Sequence, residues 1–333
     1  MQTTFTPEQL AALGRTLQVA VREVVPHAWT EETGDAWRTV LDHVVDVMAR
    51  GCADTTDDPA RRRTWEATVV SRERVAEDLA VVRLQVHRGP EDGPGDPVPA
   101  LAAGQHLQVE TARRPGMWRR FSPATAPGPD GQVELHVRAV PGGWVSGAVV
   151  AHAAPGERWR VAAPAGSLRV DRASGRDVLM LAGGTGLAPL RSLVLDLARA
   201  GGAPRVHLFV GARHPGDLYD LELLGRVATA NPWLTVVPVV ESTSAPWGRF
   251  PVRERPPGVA VTLVGRLVDV VTGFGAWDDR QALVCGSRAM VRASVAGLVA
   301  AGMPAHQVWR DPLGGGPAAD ERGRHRRPGS AAG

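Results

Sequence analysis

The hydrophobic positions of this 333-residue chain change period twice. In residues 1–51 they recur at helical spacing: Leu10, Leu13, Leu17, Val21 and Val24, then Trp37, Leu41, Val44 and Met48. Residues three and four apart share a helix face, so two helices are predicted. Thr6 and Gln9 are placed as a capping box, with Pro7 at the first helical position. Thr30 opens the second helix, Glu31 and Glu32 fall in its first turn, and Gly51 is expected to end it. Residues 52–62 are polar and read as a linker.

From residue 63 to about 172 the period becomes two. Val82, Leu84 and Val86 alternate with Arg83, Gln85 and His87; Leu107 and Val109 with Gln108 and Glu110; Val133, Leu135 and Val137 with Glu134 and His136. Pro/Gly-rich stretches separate these runs, which predicts an antiparallel barrel or sandwich. From 173 to 313 continuous apolar runs (178–182, 206–210, 234–240, 282–285) alternate with helical patterns (189–200, 218–230, 290–301). That is β-α-β alternation around a parallel sheet. Pro238 cannot donate to a ladder, so its strand is expected to lie at an edge or to be interrupted there. Residues 314–333 are rich in Gly, Pro and Arg and read as a disordered tail.

Composition narrows the chemistry. The chain has no lysine, so all 38 Lys+Arg residues are arginine. This excludes a GxxxxGK[ST] phosphate loop, a kinase ATP site, and Schiff-base or pyridoxal-phosphate catalysis. The pI of 9.6 suggests nucleic acid, but the net charge is only +3. With no lysine and one tyrosine, almost nothing titrates between neutral pH and the arginines, so a small excess lifts the pI far. No nucleic-acid partner is expected. Cys52 and Cys285 fit no metal or iron–sulfur spacing, and no metal site is expected. No apolar run spans a membrane and no leader pattern opens the chain, so a cytoplasmic location is expected.

Five segments carry candidate chemistry, each with a plainer alternative. Gly183-Gly184-Thr185-Gly186-Leu187-Ala188 follows an apolar strand and opens a helix; it suits a pyrophosphate or is a tight turn. In Arg119-Arg120-Phe121-Ser122, an arginine can fork onto a phosphate, the aromatic two positions on shares its strand face, and the serine can bond a ring heteroatom. The alternative is a solvated arginine pair beside a core Phe. Gly143-Trp144-Val145-Ser146 can start a helix at a phosphate or form a turn. Cys285-Gly286 ends the last buried strand run, where open α/β sheets bind ligands, or places a small apolar residue in the core. Arg213, after the second parallel strand, suits a 2′-phosphate or is a surface arginine.

In this order the segments resemble the ferredoxin–NADP reductase superfamily, and within it the reductase half of flavohaemoproteins. The resemblance covers residues 63–313. It implies an FAD-binding barrel followed by an NAD(P)-binding α/β domain. Arg119 would then lie at the FAD phosphates, Phe121 and Ser122 at the isoalloxazine and Ser146 at the pyrophosphate, with Arg120, Gly143 and Val145 as further cofactor-binding residues. His106 takes the place of a frequent tyrosine beside the flavin. The 183–188 loop would take NADPH or NADH, with Cys285 and Gly286 flanking the nicotinamide and Arg213 at the 2′-phosphate. Ser122 and Cys285 are its candidate catalytic residues. A hydride would pass from nicotinamide to flavin and single electrons onward to an acceptor such as a haem.

Residues 1–51 resemble the last two helices of a bacterial globin. The helix that carries a globin's haem-ligating histidine is not among them, so haem is not expected on this chain; His27 and His43 are read as loop or surface residues. The resemblance admits two alternatives: nitric oxide dioxygenase activity with haem supplied elsewhere, or a flavin-binding scaffold without catalysis. Departures feed the second. Phe121 stands for the usual tyrosine, Ser287 for a proline, and Val308-Trp309-Arg310-Asp311-Pro312-Leu313 lacks the usual terminal aromatic.

Overall fold

The computed structural model describes residues 7–56, 63–89, 98–125, 130–244 and 254–313. The chain divides into a unit containing Met1–Asp57 and a larger unit, Asp58–Gly314.

The first unit is a helical pair, α1 (Pro7–Val24) and α2 (Glu31–Thr56), joined through a 3-10 turn at Pro26–Ala28. Thr30 caps α2 as expected, its hydroxyl accepting from the Thr33 amide at 3.1 Å. Gln18 ties the two helices by donating to the Gly34 carbonyl at 3.0 Å. The expected stop at Gly51 does not occur. A glycine ends a helix where the chain turns left-handed; here it stays helical, at a cost of about 1 kcal/mol relative to alanine. Residues 52–56 of the expected linker are therefore helix. Leu17, Val24, Trp37 and Val44 are exposed. Thr6 and the side chains of Gln9, Leu10, Leu13 and Met48 lie outside the described residues.

In the larger unit, β1 (Thr64–Ala76), β2 (Leu79–Val86), β3 (Leu107–Glu110), β4 (Arg119–Phe121), β5 (Gln132–Arg138) and β6 (Arg158–Ala162) form an antiparallel sheet in the order β4-β3-β6-β1-β2-β5. A Pro123–Leu135 bridge brings the segment after β4 back onto β5, curling the sheet toward closure. The alternating residues Val82, Leu84, Leu107, Val109, Val133 and Leu135 fill its interior with Trp65 and Trp159. Helix α3 (Trp144–His152) plugs one end with Val145 and Val149.

The second sheet is all parallel. Its strands are β7 (Asp177–Gly183), β8 (Val206–Ala212), β9 (Leu234–Val240), β10 (Leu263–Val264), β11 (Arg280–Ser287) and β12 (Val308–Leu313), ordered β10-β9-β8-β7-β11-β12. Helices α4 (Leu187–Ala200) and α5 (Leu221–Ala230) cover one face, α6 (Leu267–Thr272) and α7 (Arg288–Ala300) the other. Burial on both faces accounts for the continuous apolar runs. Pro238 sits in β9 between the Val236–Val259 bridge and the two-residue β10, where the ladder on that side is interrupted. The chain order reverses at β7, whose neighbours are β8 and β11. Such a switch point opens a crevice at the carboxyl ends of the strands.

Candidate functional site

The glycine loop occupies that crevice. Gly184 has φ +55°, left-handed backbone that favours glycine. Gly186 is buried, and a Cβ there would be driven into the Cys285 carbonyl and to 2.6 Å from the Gly286 nitrogen. A Cβ on Gly286 would lie 3.3 Å from Gly183 and 2.8 Å from Met290 Sδ. The structure thus brings Gly183, Gly184, Thr185 and Gly186 against Cys285 and Gly286, at the ends of neighbouring strands. Leu187 and Ala188, at the start of α4, have buried side chains, and the Leu187 amide donates back to the Gly184 and Thr185 carbonyls, closing the turn. The Cys285 thiol is 0% exposed within the core, and burial pushes its pKa well up. That segment therefore offers backbone to the crevice, not a thiolate. Arg213 is exposed just beyond β8, which pairs Gly211 with Gly183. The Ser242 amide donates to the Arg213 carbonyl at 3.0 Å, the Ser242 and Ser244 hydroxyls bond each other at 2.7 Å, and His214 Nδ1 meets the Ser244 carbonyl at 2.7 Å.

On the barrel, Arg119 lies opposite Val109 and Phe121 opposite Leu107, so both share one face of β4. Arg119 and Arg120 are exposed; Arg119 Nη1 donates to the Trp118 carbonyl at 2.8 Å. Phe121 is half-buried against the barrel core and Ser122 is buried. His106, one residue before β3, is buried. Burial first, then the charge of Arg120, lowers its pKa to about 4, so the ring is neutral at physiological pH. Helix α3 begins at Trp144 with Gly143 as its cap and no side-chain capping bond. Ser146 is therefore in the first turn rather than at the cap, its Oγ accepting from the Val140 amide at 3.4 Å. The Val145 side chain is in the barrel core, leaving only its amide for a ligand. The first amides of such a helix lack intrahelical partners and suit an anion.

Arg138, which sequence reasoning did not single out, joins the two groups. Its Nη1 is held by both Asp78 oxygens, at 2.9 and 2.7 Å. Its Nε is buried without a hydrogen-bond partner and lies 3.9 Å from where a Cβ on Gly184 would be. A buried unpaired donor at the glycine loop fits an anionic ligand. The residues present thus suit two phosphate-bearing cofactors: Arg119 with the start of α3 for one, and the glycine loop with Arg138 for the other. In sequence Arg138 shows only as one of three alternating polar positions. Glu134, His136 and Arg138 occupy one face of β5, and a polar face that is nevertheless buried marks contact with another polar surface. Among the described residues no His/Cys/Asp/Glu cluster suits a metal, and no helix is long and apolar enough to cross a membrane.

Comparison with known proteins bears on this arrangement. The oxidoreductase FAD-binding domain family matches residues 66–170 and the oxidoreductase NAD-binding domain family matches residues 180–296. The reductase subunit of an Amycolatopsis aromatic O-demethylase is 30% identical over 309 residues, covering 89% of this chain and 85% of that protein. The reductase component of a Ralstonia naphthalene 1,2-dioxygenase/salicylate 5-hydroxylase system is 31% identical over 231 residues, covering 69% of this chain and 63% of the relative. The chain thus spans less than two thirds of the Ralstonia protein. A Malassezia yamatoensis flavohemoglobin structure superposes with a TM-score of 0.58 at 17% identity, over 93% of this chain and 76% of that one, a likeness of fold.

Proposed function

Because the chain belongs to the ferredoxin–NADP reductase superfamily, we propose that it is an FAD-dependent NAD(P)H oxidoreductase that hands electrons to an acceptor. The observation that carries this reading is the approach of barrel residue Arg138 to the glycine loop at Gly184, which unites two phosphate-suited sites in one unit. When bound, FAD would supply hydride acceptance from the nicotinamide and one-electron release to an acceptor.

The chain's own residues bind and orient. Arg119 and the Val145 and Ser146 amides hold the FAD phosphates. Phe121 and Ser122 lie at the flavin ring, and neutral His106 adds no charge beside it. The backbone of the Gly183–Ala188 loop takes the dinucleotide phosphates, helped by Arg138. The backbone of Cys285 and Gly286 walls the nicotinamide end. The functional test is reduction of ferricyanide, a one-electron acceptor. The rate should require both added FAD and NADPH, and Arg119→Ala should need about tenfold more FAD, as expected for losing a charged hydrogen bond. FAD that binds but is never reduced would point to the scaffold reading.

Arg213, exposed just beyond β8, contacts the 2′-phosphate of NADPH. Arg213→Ala should raise KM for NADPH about tenfold or more and leave KM for NADH nearly unchanged, since charged hydrogen bonds contribute roughly 1.5–3 kcal/mol. Equal changes for both dinucleotides would remove Arg213 from this role.

Several relatives are named as reductase components of oxygenases, and an oxygenase or ferredoxin acceptor follows by analogy. A second reading takes a globin haem as acceptor, as in nitric oxide dioxygenase. It is favoured by the helical pair and by the extent of the flavohemoglobin superposition. His27 and His43 are exposed, so that haem would be held elsewhere. A Soret band on the purified chain would support haem on this polypeptide; a flavin-only spectrum would leave the acceptor outside it.

A further inference from the structure

We infer that Arg191 is a positioning residue, which latches the barrel to α4 and sets the spacing between the two cofactor sites; this rests on the reading of those sites given above. Arg191 is the fifth residue of α4, the helix that opens from the glycine loop. It is 7% exposed. Its Nη1 donates to the Ala124 carbonyl at 2.9 Å and to Glu134 Oε1 at 2.6 Å, and its Nε lies 2.7 Å from Asp220 Oδ2. Ser192 Oγ donates to the Thr125 carbonyl at 2.5 Å. Ala124 and Thr125 follow Ser122 by two and three residues. The flavin strand and the dinucleotide helix are therefore joined by direct hydrogen bonds through a few covalent links on either side.

The surrounding groups hold the latch rigid. Glu134 Oε2 also pairs with Arg83 Nε at 2.7 Å, and Glu134 Oε1 lies 3.2 Å from His136 Nε2. His136 Nδ1 meets the hydroxyl of Tyr219 at 3.1 Å. Asp220 follows Tyr219 in left-handed backbone, φ 64°. Two arginines, the buried Arg191 and the exposed Arg83, face the two carboxylates Glu134 and Asp220. A buried ion cluster is weak evidence for stability, because desolvation offsets most of its attraction. What this one adds is direction. A planar guanidinium that donates from Nη1 to both Ala124 and Glu134 and ion-pairs through Nε with Asp220 favours one orientation, which a lysine ammonium cannot reproduce. Hydride transfer is sensitive to such placement: a displacement of about 1 Å costs on the order of 100-fold in rate.

The test separates charge from geometry. In stopped-flow with FAD-loaded protein, Arg191→Ala should lower the limiting rate of flavin reduction by NADPH on the order of 100-fold. The apparent Kd for NADPH should change by less than about threefold, since nothing that touches the dinucleotide is removed. Arg191→Lys should recover thermal stability but not the rate, whereas a merely structural charge would recover both. A second readout needs no cofactor: spin labels at Gln132→Cys on β5 and Ala200→Cys on α4, in a Cys52→Ser background, report the distance between the two halves. The native chain should give one narrow distance and Arg191→Ala a broad one. If Arg191→Ala does not fold, Arg191→Lys and Ser192→Ala carry the same comparisons. A folded, flavin-loaded variant reduced within about twofold of the native rate, or an unchanged narrow distance, would overturn the latch. A native protein that holds no flavin would instead overturn the functional reading, and the label distances would then decide the latch alone.

Discussion

Gly186→Ala should lose about 3 kcal/mol of stability and most of its flavin reduction. The added methyl would be driven into the Cys285 carbonyl. That carbonyl cannot yield easily, because β11 is paired on both sides, Cys285 opposite Ala182 of β7 and Asp311 of β12. The glycine loop must move instead. Overpacking a tight contact costs about 1–3 kcal/mol, and a backbone obstacle places this one at the upper end. For a unit of this size that is a fall in Tm of roughly 6–12 °C. Because the loop is the proposed phosphate site, the displacement should also slow flavin reduction on the order of 100-fold. Gly147→Ala is the matching control. It sits inside α3 with nothing within 4 Å of the added methyl. A gain of up to about 1 kcal/mol is expected there from helix propensity. Thermal melts and stopped-flow traces of both variants check the pair, and equal behaviour would refute the close approach.

Glu134 should control the acid limb of stability. Burial pushes its carboxyl up, but the hydrogen bond from His136 and the charges of Arg191, His136 and Arg83 outweigh burial and bring it down to about 2, from 4.5. The folded state thus refuses a proton that the unfolded chain accepts. Its contribution is fully present above about pH 4.5 and is lost as pH falls toward about 2, amounting to roughly 3 kcal/mol at most. Asp220 works in the opposite sense: burial raises its pKa against the pull of Arg191, so the folded state takes up that proton early and offsets part of the loss. Glu134→Gln should cost about 3 kcal/mol at neutral pH, because it takes a carboxylate from the buried Arg191 guanidinium and leaves it with Asp220; the exposed Arg83 adds little. It should also flatten the decline between about pH 4.5 and 2. Urea midpoints across pH 2–7 for both proteins check this; parallel curves would show that Glu134 does not govern the limb.

Much of the architecture was legible along the chain. The shift from period two to continuous apolar runs separated the antiparallel from the parallel sheet, because a sheet solvated on one face and a sheet buried on both leave different patterns. The glycine loop was visible because it follows such a run at Val178–Ala182. Helix boundaries were less legible. Helix α4 starts at Leu187 rather than 189, α5 at Leu221 rather than 218, and α2 runs through Gly51, since termini depend on caps and tertiary contacts that periodicity does not encode. The latch was hidden for a different reason. Arg191 lies 57 residues from Glu134, and a long charged side chain in a helix ordinarily points to solvent. Only the buried polar face of β5 hinted at a partner, and only the fold shows that the partner is α4. Arg138 was obscured in the same way, since its proximity to Gly184 is a tertiary fact.

The decisive measurement is anaerobic: purified protein loaded with FAD, freed of unbound flavin, and titrated with NADPH. Tightly held flavin whose visible absorbance bleaches in proportion to added NADPH, one equivalent per flavin, is the predicted result. A protein that retains no flavin, or flavin whose absorbance NADPH and NADH both leave unchanged, would contradict the assignment of Arg119, Phe121 and Ser122 to one cofactor and of the Gly183–Gly186 loop to the other.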